Sequence, residues 1–330
     1  MPCFNAAQSV ARAVKSIQSQ SLTDWELIVV DDGSEDQSAK IVETIAAKDP
    51  RIRLIKRPHT GVASASNAGF QACQGNLIAR MDADDVSSPK RLEQQYKALE
   101  QDANLDAVSC LAHFAGDPIK AGGYAHHVAW TNKQISSEHI NLNRFIDLPL
   151  PHPTLMYRRG LVDQFGGYLD GNFPEDYEMI LRWISRGAKI GKVNEYLYHW
   201  HDPPSRLSRN DSRYDMSAFH KCKAPYLSHA IRSQGLADRD LWIWGAGRPA
   251  RKCAQALEAA WKPAAGFIDI DPRKIGSNIH GRPVISSKHL PPAHTSIIVS
   301  YVGTRGAGEK IRTELRAADR VEGKDFWLCA

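Results

Sequence analysis

The chain is 330 residues long, 42% hydrophobic and 24% charged, with a formal net charge of +5, an ordinary soluble globular composition with material for about two domains. No stretch approaches the ~20 apolar residues of a membrane-spanning helix, and the N-terminus lacks the basic-then-apolar pattern of a secretion signal, so the expected address is the cytoplasm. Cys3, Cys73, Cys110, Cys222, Cys253 and Cys329 form no C-x-x-C pair, which indicates reduced thiols and neither a zinc knuckle nor a disulfide framework.

Helix-like and strand-like segments alternate from the start. Val10, Ala13, Val14 and Ile17 fall at helical spacing behind Asn5 as a cap, and WELIVV, Trp25 to Val30, is a β-branched run of buried-strand type. Ser34 and Gln37 match a capping box for a helix carrying Ile41, Val42 and Ile45. IRLI (Ile52 to Ile55) reads as a strand, Thr60 to Ala72 as a helix and NLIARM (Asn76 to Met81) as another strand, while Leu92, Tyr96 and Leu99 mark a helix entered through Pro89. Such alternation predicts a parallel, doubly wound sheet with ligands bound beyond the carboxyl ends of its strands.

That rule gives the acidic clusters a meaning. Asp31 and Asp32 end one strand, and Asp82, Asp84 and Asp85 end another, so both should open onto one cleft. Two carboxylates at i and i+2 can reach a single divalent cation, with Mn2+ or Mg2+ the hard-oxygen choice beside phosphate; the alternative is an acidic turn, since Asp before Ser-Ser-Pro is ordinary turn chemistry.

Six segments carry a resemblance: PCFNAAQSV, WELIVVDDGSEDQS, GVASASNAGFQACQGNLIARMDADDVSSPKRLEQQ, HPTLMYRRG, FGGY and PEDYEMILRW, in order over roughly the first 200 residues. Together they resemble the family 2 glycosyltransferases of GT-A fold, a doubly wound mixed α/β sheet that binds nucleotide-diphosphate sugars. The resemblance implies an inverting, metal-assisted transferase. Phe4 would lie against the nucleobase, Asp31 and Asp32 would hold base and ribose, and Asp82 and Asp84 would form the metal-diphosphate motif with Asp84 the direct ligand. Asp176 would be the general base, although a helix N-cap is the plain reading of the same residue. Glu175 and His152 fall on the acceptor side. His199 and His201 precede a Ser-containing loop where one of them could touch metal or diphosphate, and Arg206 could close over the phosphates; packing or a turn contact is the ordinary role of such histidines.

Two departures stand out. The chain starts directly on the Pro-x-x-Asn turn that follows a central strand in relatives, so the expectation is a start further upstream, or another segment in the strand's slot. Ser66 stands where many relatives place Arg or Leu.

From Arg182 to Lys252 there are 14 Lys/Arg against 6 Asp/Glu, read as a solvated basic face ahead of contact with an anionic membrane surface or a phosphorylated acceptor. Beyond it, DLWIWGAGRPARKCAQALEAA, AAGFIDIDP, SIIVSYVG, EKIRTELRAA and DFWLCA spell strand, glycine turn, helix and further strands of a small Rossmann-like α/β unit. Gly245, Gly247 and Asp269 are its candidate ligand residues, with Asp271 beside them; the third glycine of a dinucleotide turn is replaced, so NAD is not expected.

The resulting expectation is a GT-A domain over residues 1–204, a helical linker over 205–238 and a Rossmann-like domain over 239–330. The expected reaction moves a sugar, from a UDP-sugar foremost, to a cell-envelope polysaccharide or lipid-linked acceptor, in the cytoplasm or peripherally at the inner membrane face and with no nucleic-acid partner. The alternative is an inactive or binding-only nucleotide-sugar module.

Overall fold

The structure, a computed structural model, describes residues 1–203 and 206–330. The chain divides into two compact units, one of Met1–Ile140, Leu148–Gly171 and Glu175–Asp211, the other of Asn141–Asp147, Asn172–Pro174 and Ser212–Ala330. The boundary expected between residues 204 and 205 lies outside the described residues.

The first unit opens with a parallel sheet of β1 (Pro2–Cys3), β2 (Leu27–Asp31) and β3 (Ile52–Lys56), in that order. Every residue of β2 is buried, because helices cover both faces. Leu27 and Val29 pack with Val10, Val14 and Ile17 of α1 (Val10–Gln18) and with Val42 of α2 (Ser38–Ala46), while Ile28 and Val30 pack on Ala65 of α3 (Val62–Ala72). The alternation of side chains along a strand explains this division, and burial on both faces explains the unbroken apolar run.

A second, mixed sheet has the order β4 (Leu77–Ala79), β7 (Met156–Arg158), β6 (Ala107–Ala115), β8 (Ile190–His201) and β5 (Val86–Ser87). Only β6 and β8 run parallel; their neighbours are antiparallel. Leu92 and Leu99 of α4 (Arg91–Gln101) seal one face against Val108 and Met156. The unit also holds α5 (Gly122–Thr131), most of α6 (Ser137–Asn143), α7 (Arg159–Phe165), α8 (Glu175–Ser185) and α9 (Leu207–Asn210).

Between the two sheets, β1 pairs with β2 alone and β4 with β7 alone. A cavity of about 720 Å³ is lined by Leu27, Ile28, Ser66, Phe70, Leu77, Ile78 and Arg80. Ser66, the residue that departs from the relatives' pattern, has a buried hydroxyl with no hydrogen-bond partner.

Two expected helix caps do not form. Asn5 adopts φ +47° and its side chain accepts from the Glu35 N–H, so it closes a turn and does not cap α1, whose N-cap is Ser9. The Ser34 hydroxyl accepts from the Asn5 N–H and Gln37 is itself the N-cap of α2, so no capping box is present. Tertiary contacts between the two turns have taken the groups that local sequence assigned to helix ends.

The second unit is built on a six-stranded sheet of order β11 (Asn278–Ile279), β12 (Arg282–Ser286), β10 (Gly266–Asp269), β9 (Asp240–Trp244), β13 (Ser296–Ser300) and β14 (Phe326–Leu328), parallel except for β11. The order reverses direction after β12, with β9 between β10 and β13, as in doubly wound sheets. α10 (Met216–Arg232), a segment the sequence reading placed in the linker, packs on α11 (Arg248–Ala260), and Ile311 and Leu315 of α12 (Ala307–Ala317) complete the core with Trp244, Ile268, Ile298 and Phe326. All six cysteines are free thiols, and among the described residues no helix is long and apolar enough to cross a membrane.

Candidate functional site

The C-terminal end of β2 carries Asp31 and the residue after it, Asp32, both buried. Asp31 accepts from the Ser34 N–H at 3.3 Å through Oδ2, and its Oδ1 is buried without a partner. Asp32 is fully occupied: it accepts from the Gly61 N–H at 2.8 Å and the Thr60 N–H at 3.2 Å, at the N-terminus of α3, and lies 2.9 Å from His59 Nδ1. The loop ahead of α3 is thus pinned to Asp32, and the His59 ring stacks on Phe4 with centroids 4.1 Å apart. Phe4 is 45% exposed, a large apolar ring held at the surface one residue after Cys3, which pairs with Asp31 in the sheet.

The acidic cluster follows β4. One ligand atom from each of Asp82, Asp84 and Asp85 lies within 4.8 Å of the others, and the repulsion this implies is handled differently at each. Asp82, partly exposed, forms an ion pair with the buried Arg80; desolvation opposes its charge, and the Arg80 guanidinium overrides it and lowers the Asp82 pKa. Asp85 is 1% exposed and accepts from the Tyr198 hydroxyl at 2.9 Å and the His201 N–H at 2.7 Å. Burial first, then Asp82 and Asp84, push its pKa well above the ordinary carboxylate value. Asp84 has no ion pair among the described residues; burial and then Asp82 raise it to about 6.

A buried chain of contacts runs outward from this cluster. His152 Nε2 lies 2.6 Å from the Tyr168 hydroxyl, and burial, then Arg80, lower the histidine to about 3, so the ring is neutral. Asn67 of α3 bonds to both backbone groups of Tyr168, while Arg182 of α8 pairs with Glu178 at 2.9 Å and donates to the carbonyls of Phe165, Gly166 and Gly167. The Phe-Gly-Gly-Tyr segment is therefore clamped between α3 and α8. Glu175 and Asp176 open α8, the first buried and the second half-buried, and both raise the Tyr168 hydroxyl pKa after burial, its main cause. The helix start thus lies within electrostatic reach of the tyrosine that touches His152.

On the far side, His199 pairs in register with Val86 and stands beside His113 on the parallel β6–β8 pair. The His201 ring faces the His199 carbonyl at 3.2 Å. The Arg206 guanidinium lies 3.7 Å above the Trp200 ring, donates to the His201 carbonyl and lowers the pKa of both Asp82 and Asp84 as a secondary influence.

In the second unit, Gly245 has φ +116°, and an added Cβ would stand 2.7 Å from that of Ala250. Gly247 is the N-cap of α11. The Asp269 carboxylate accepts from the Ala246 N–H at 2.9 Å and pairs with Lys274 at 3.0 Å, and Asp271 pairs with Arg273. Asp269 thus ties the glycine turn to its own loop, while Asp271 holds only its own turn.

Sequence reasoning found the carboxylates but missed Arg80, His59, Tyr168 and Tyr198. Arg80 had a readable signal, since a lone cation two residues before Asp82 shares its side in extended chain. His59 and Tyr198 reach the site from a loop and a distant strand that no local pattern connects to it, whereas Tyr168 lay in the FGGY segment with no role assigned.

The donor chemistry suits a hard divalent cation: three carboxylates converge, and Asp84 retains oxygens with no cationic partner. Comparison with known proteins bears on what such a site serves. The Glycosyl transferase family 2 signature matches residues 1–166, half of the chain, and the chain belongs to this family. It is 28% identical over 217 residues to the glycosyltransferase EpsJ of Bacillus subtilis (strain 168), covering 63% of this chain and 61% of that one. With the O-antigen biosynthesis glycosyltransferase WbnJ of Escherichia coli it shares 26% over 234 residues, 68% of this chain and 85% of WbnJ. A 108-residue stretch is 33% identical to the chondroitin synthase of Escherichia coli, so the chain spans only 16% of that larger protein and about three fifths of EpsJ. Among solved structures, S. aureus TarS 1-349 in complex with UDP-GlcNAc aligns with TM-score 0.56 and 16% identity, over 78% of this chain and 69% of that one. The mannosyltransferase PcManGT from Pyrobaculum calidifontis, in complex with GDP-Man and Mn2+, aligns with TM-score 0.50 and 19% identity over 78% and 71%. These likenesses establish the GT-A fold. Asp176 lies beyond the family match, which ends at residue 166.

Proposed function

We propose that the chain is an inverting, metal-assisted sugar transferase that takes a nucleoside-diphosphate sugar, a UDP-sugar foremost, and delivers the sugar to a glycan or lipid-linked acceptor of the cell envelope. The observation that carries this reading is the convergence of Asp82, Asp84 and Asp85 within 4.8 Å, in a family 2 chain whose buried Asp31 has an unpartnered oxygen.

In this reading the Asp31 Oδ1 accepts from an N–H of the nucleobase, which lies against Phe4, and Asp32 acts indirectly by fixing the loop that carries His59. Satisfying a buried orphan acceptor contributes about 1–3 kcal/mol, which makes base recognition a natural use of that oxygen. Asp84, with Asp82 beside it, would hold Mn2+ or Mg2+ against the diphosphate oxygens. A cation bound there stabilises the negative charge that grows on the departing diphosphate, and so favours the transition state over the bound donor.

Asp176 acts from the other side of the sugar. Its carboxylate takes the proton of the acceptor hydroxyl as that oxygen attacks the anomeric carbon, and the bond to the diphosphate breaks on the opposite face, giving inversion in one displacement. Glu175, His152 and the Tyr168 loop shape the acceptor side. His201 and Arg206 sit by Asp84 and Asp85, where Arg206 can meet phosphate oxygens. Contact with an anionic membrane face would use exposed members of the basic stretch such as Arg186 and Lys189, since Arg182, Lys192 and Lys223 are buried.

The test is donor hydrolysis. With Mn2+, wild-type protein should slowly release UDP or GDP from its nucleotide-sugar, and Asp176→Asn should lower acceptor-dependent transfer about a hundredfold or more while leaving nucleotide binding intact. Equal transfer by the two proteins would remove Asp176 from its role.

A further inference from the structure

Arg80 faces the acidic cluster from inside. Its side chain is 7% exposed and forms an ion pair with Asp82, its one acidic partner among the described residues, while its Nε is buried without a hydrogen bond. The backbone that carries it is held on both sides, its N–H by the Leu155 carbonyl at 2.8 Å and its carbonyl by the Arg91 guanidinium at 2.6 Å. Arg91 is itself fully buried and bonded to the Pro153 carbonyl and Gln95. The guanidinium therefore stands on a held backbone, largely shielded from solvent at the edge of the cavity of about 720 Å³.

Two cations then compete for one carboxylate. A divalent ion entering the cluster alone meets Asp85 already engaged by Tyr198 and His201, Asp82 already neutralised, and a fixed positive charge close by. Moving Arg80 aside would leave a buried guanidinium unpaired, which is strongly unfavourable. A nucleoside diphosphate changes the balance, because its oxygens supply the negative charge the site otherwise lacks and complete the ion's coordination.

We infer that Arg80 is a positioning residue that occupies Asp82 as an internal counter-ion, so that the site takes a divalent cation together with the nucleoside diphosphate and binds the bare cation poorly. The inference rests on the reading of this cluster as the cation and diphosphate site, and it adds an order of binding. Asp84 is the carboxylate open to the cation, and Asp82 stays oriented by Arg80 as the diphosphate arrives.

The test measures Mn2+ binding by the loss of the free-ion electron paramagnetic resonance signal, with and without UDP or GDP, on wild type, Arg80→Gln and Arg80→Lys. Wild type should bind Mn2+ weakly alone and much more tightly with nucleotide. Arg80→Gln should bind bare Mn2+ about tenfold tighter or more, as removal of a nearby like charge requires, and its nucleotide-induced gain should shrink. A merely structural role would instead weaken binding in every condition. Should Arg80→Gln fail to fold by circular dichroism, Arg80→Lys carries the test: a shorter side chain with a single ammonium pairs less well with Asp82, and bare Mn2+ binding should rise severalfold. Folded variants that bind bare Mn2+ no better than wild type would overturn the inference while leaving the nucleotide-sugar reading standing. Failure of wild type to bind Mn2+ even with UDP or GDP would overturn both.

Discussion

His152 Nε2 and the Tyr168 hydroxyl meet at 2.6 Å in the protein interior, joining the segment after α6 to the Phe-Gly-Gly-Tyr loop. Replacement of Tyr168 by Phe keeps the ring that stacks on Phe70 but leaves a buried ring nitrogen unsatisfied. Tyr168→Phe should therefore cost about 1–3 kcal/mol of unfolding free energy, read by urea denaturation. A loss below a few tenths would mean that another group replaces the hydroxyl.

Lys192 predicts a pH dependence. Its buried ammonium donates to the carbonyls of Thr131 and Pro149, and burial lowers its pKa from 10.5 to about 7. Between those two values the unfolded chain binds the extra proton and the folded chain does not, so this residue's contribution to stability rises with pH through that window. Lys192→Met lacks the effect. The difference in stability should shift toward wild type from about pH 7 to about pH 10.5; a constant difference across that range would contradict the assignment.

Gly69 sits inside α3 without a positive φ, and a Cβ added there would meet only Val30 Cγ2 at 3.6 Å, an ordinary contact. Gly69→Ala should stabilise the protein by about 0.5–1 kcal/mol through the lower entropy of the unfolded chain. A lower melting temperature would show that the position is closer packed than this.

Gly245 should respond in the opposite sense. Its φ of +116° and the 2.7 Å approach to Ala250 leave no room for a side chain, so Gly245→Ala should cost about 1–3 kcal/mol by backbone strain alone. Thermal unfolding of the variant without any ligand tests this, and an unchanged melting temperature would reopen a ligand-based reason for the glycine.

Much of the fold was legible because its signals are local. The run from Trp25 to Val30 reads as a buried-type strand, and β2 (Leu27–Asp31) takes up most of it with both faces covered. The acidic motif was equally plain, because i, i+2 spacing after a strand brings carboxylates together whatever surrounds them. What stayed hidden depends on distant partners. Asn5 and Ser34 looked like helix caps until each took the other's turn as its partner. The backbone N–H groups of Thr60 and Gly61 that bond the Asp32 carboxylate come from a loop 28 and 29 residues further on, which no local pattern announced. The cluster takes its counter-charge from Arg80 and its hydrogen bonds from Tyr198 and the His201 N–H, the last two more than a hundred residues away.

The central claim is that Asp84 opens onto a cation shared with a nucleoside diphosphate. Isothermal calorimetry of UDP and of GDP into wild type and Asp84→Asn, each with Mn2+ present, tests it most directly. The account predicts saturable heat with one of the nucleotides on wild type and an affinity reduced about tenfold or more in Asp84→Asn. Absence of heat on folded wild-type protein with both nucleotides, or equal affinity in the two proteins, would contradict it.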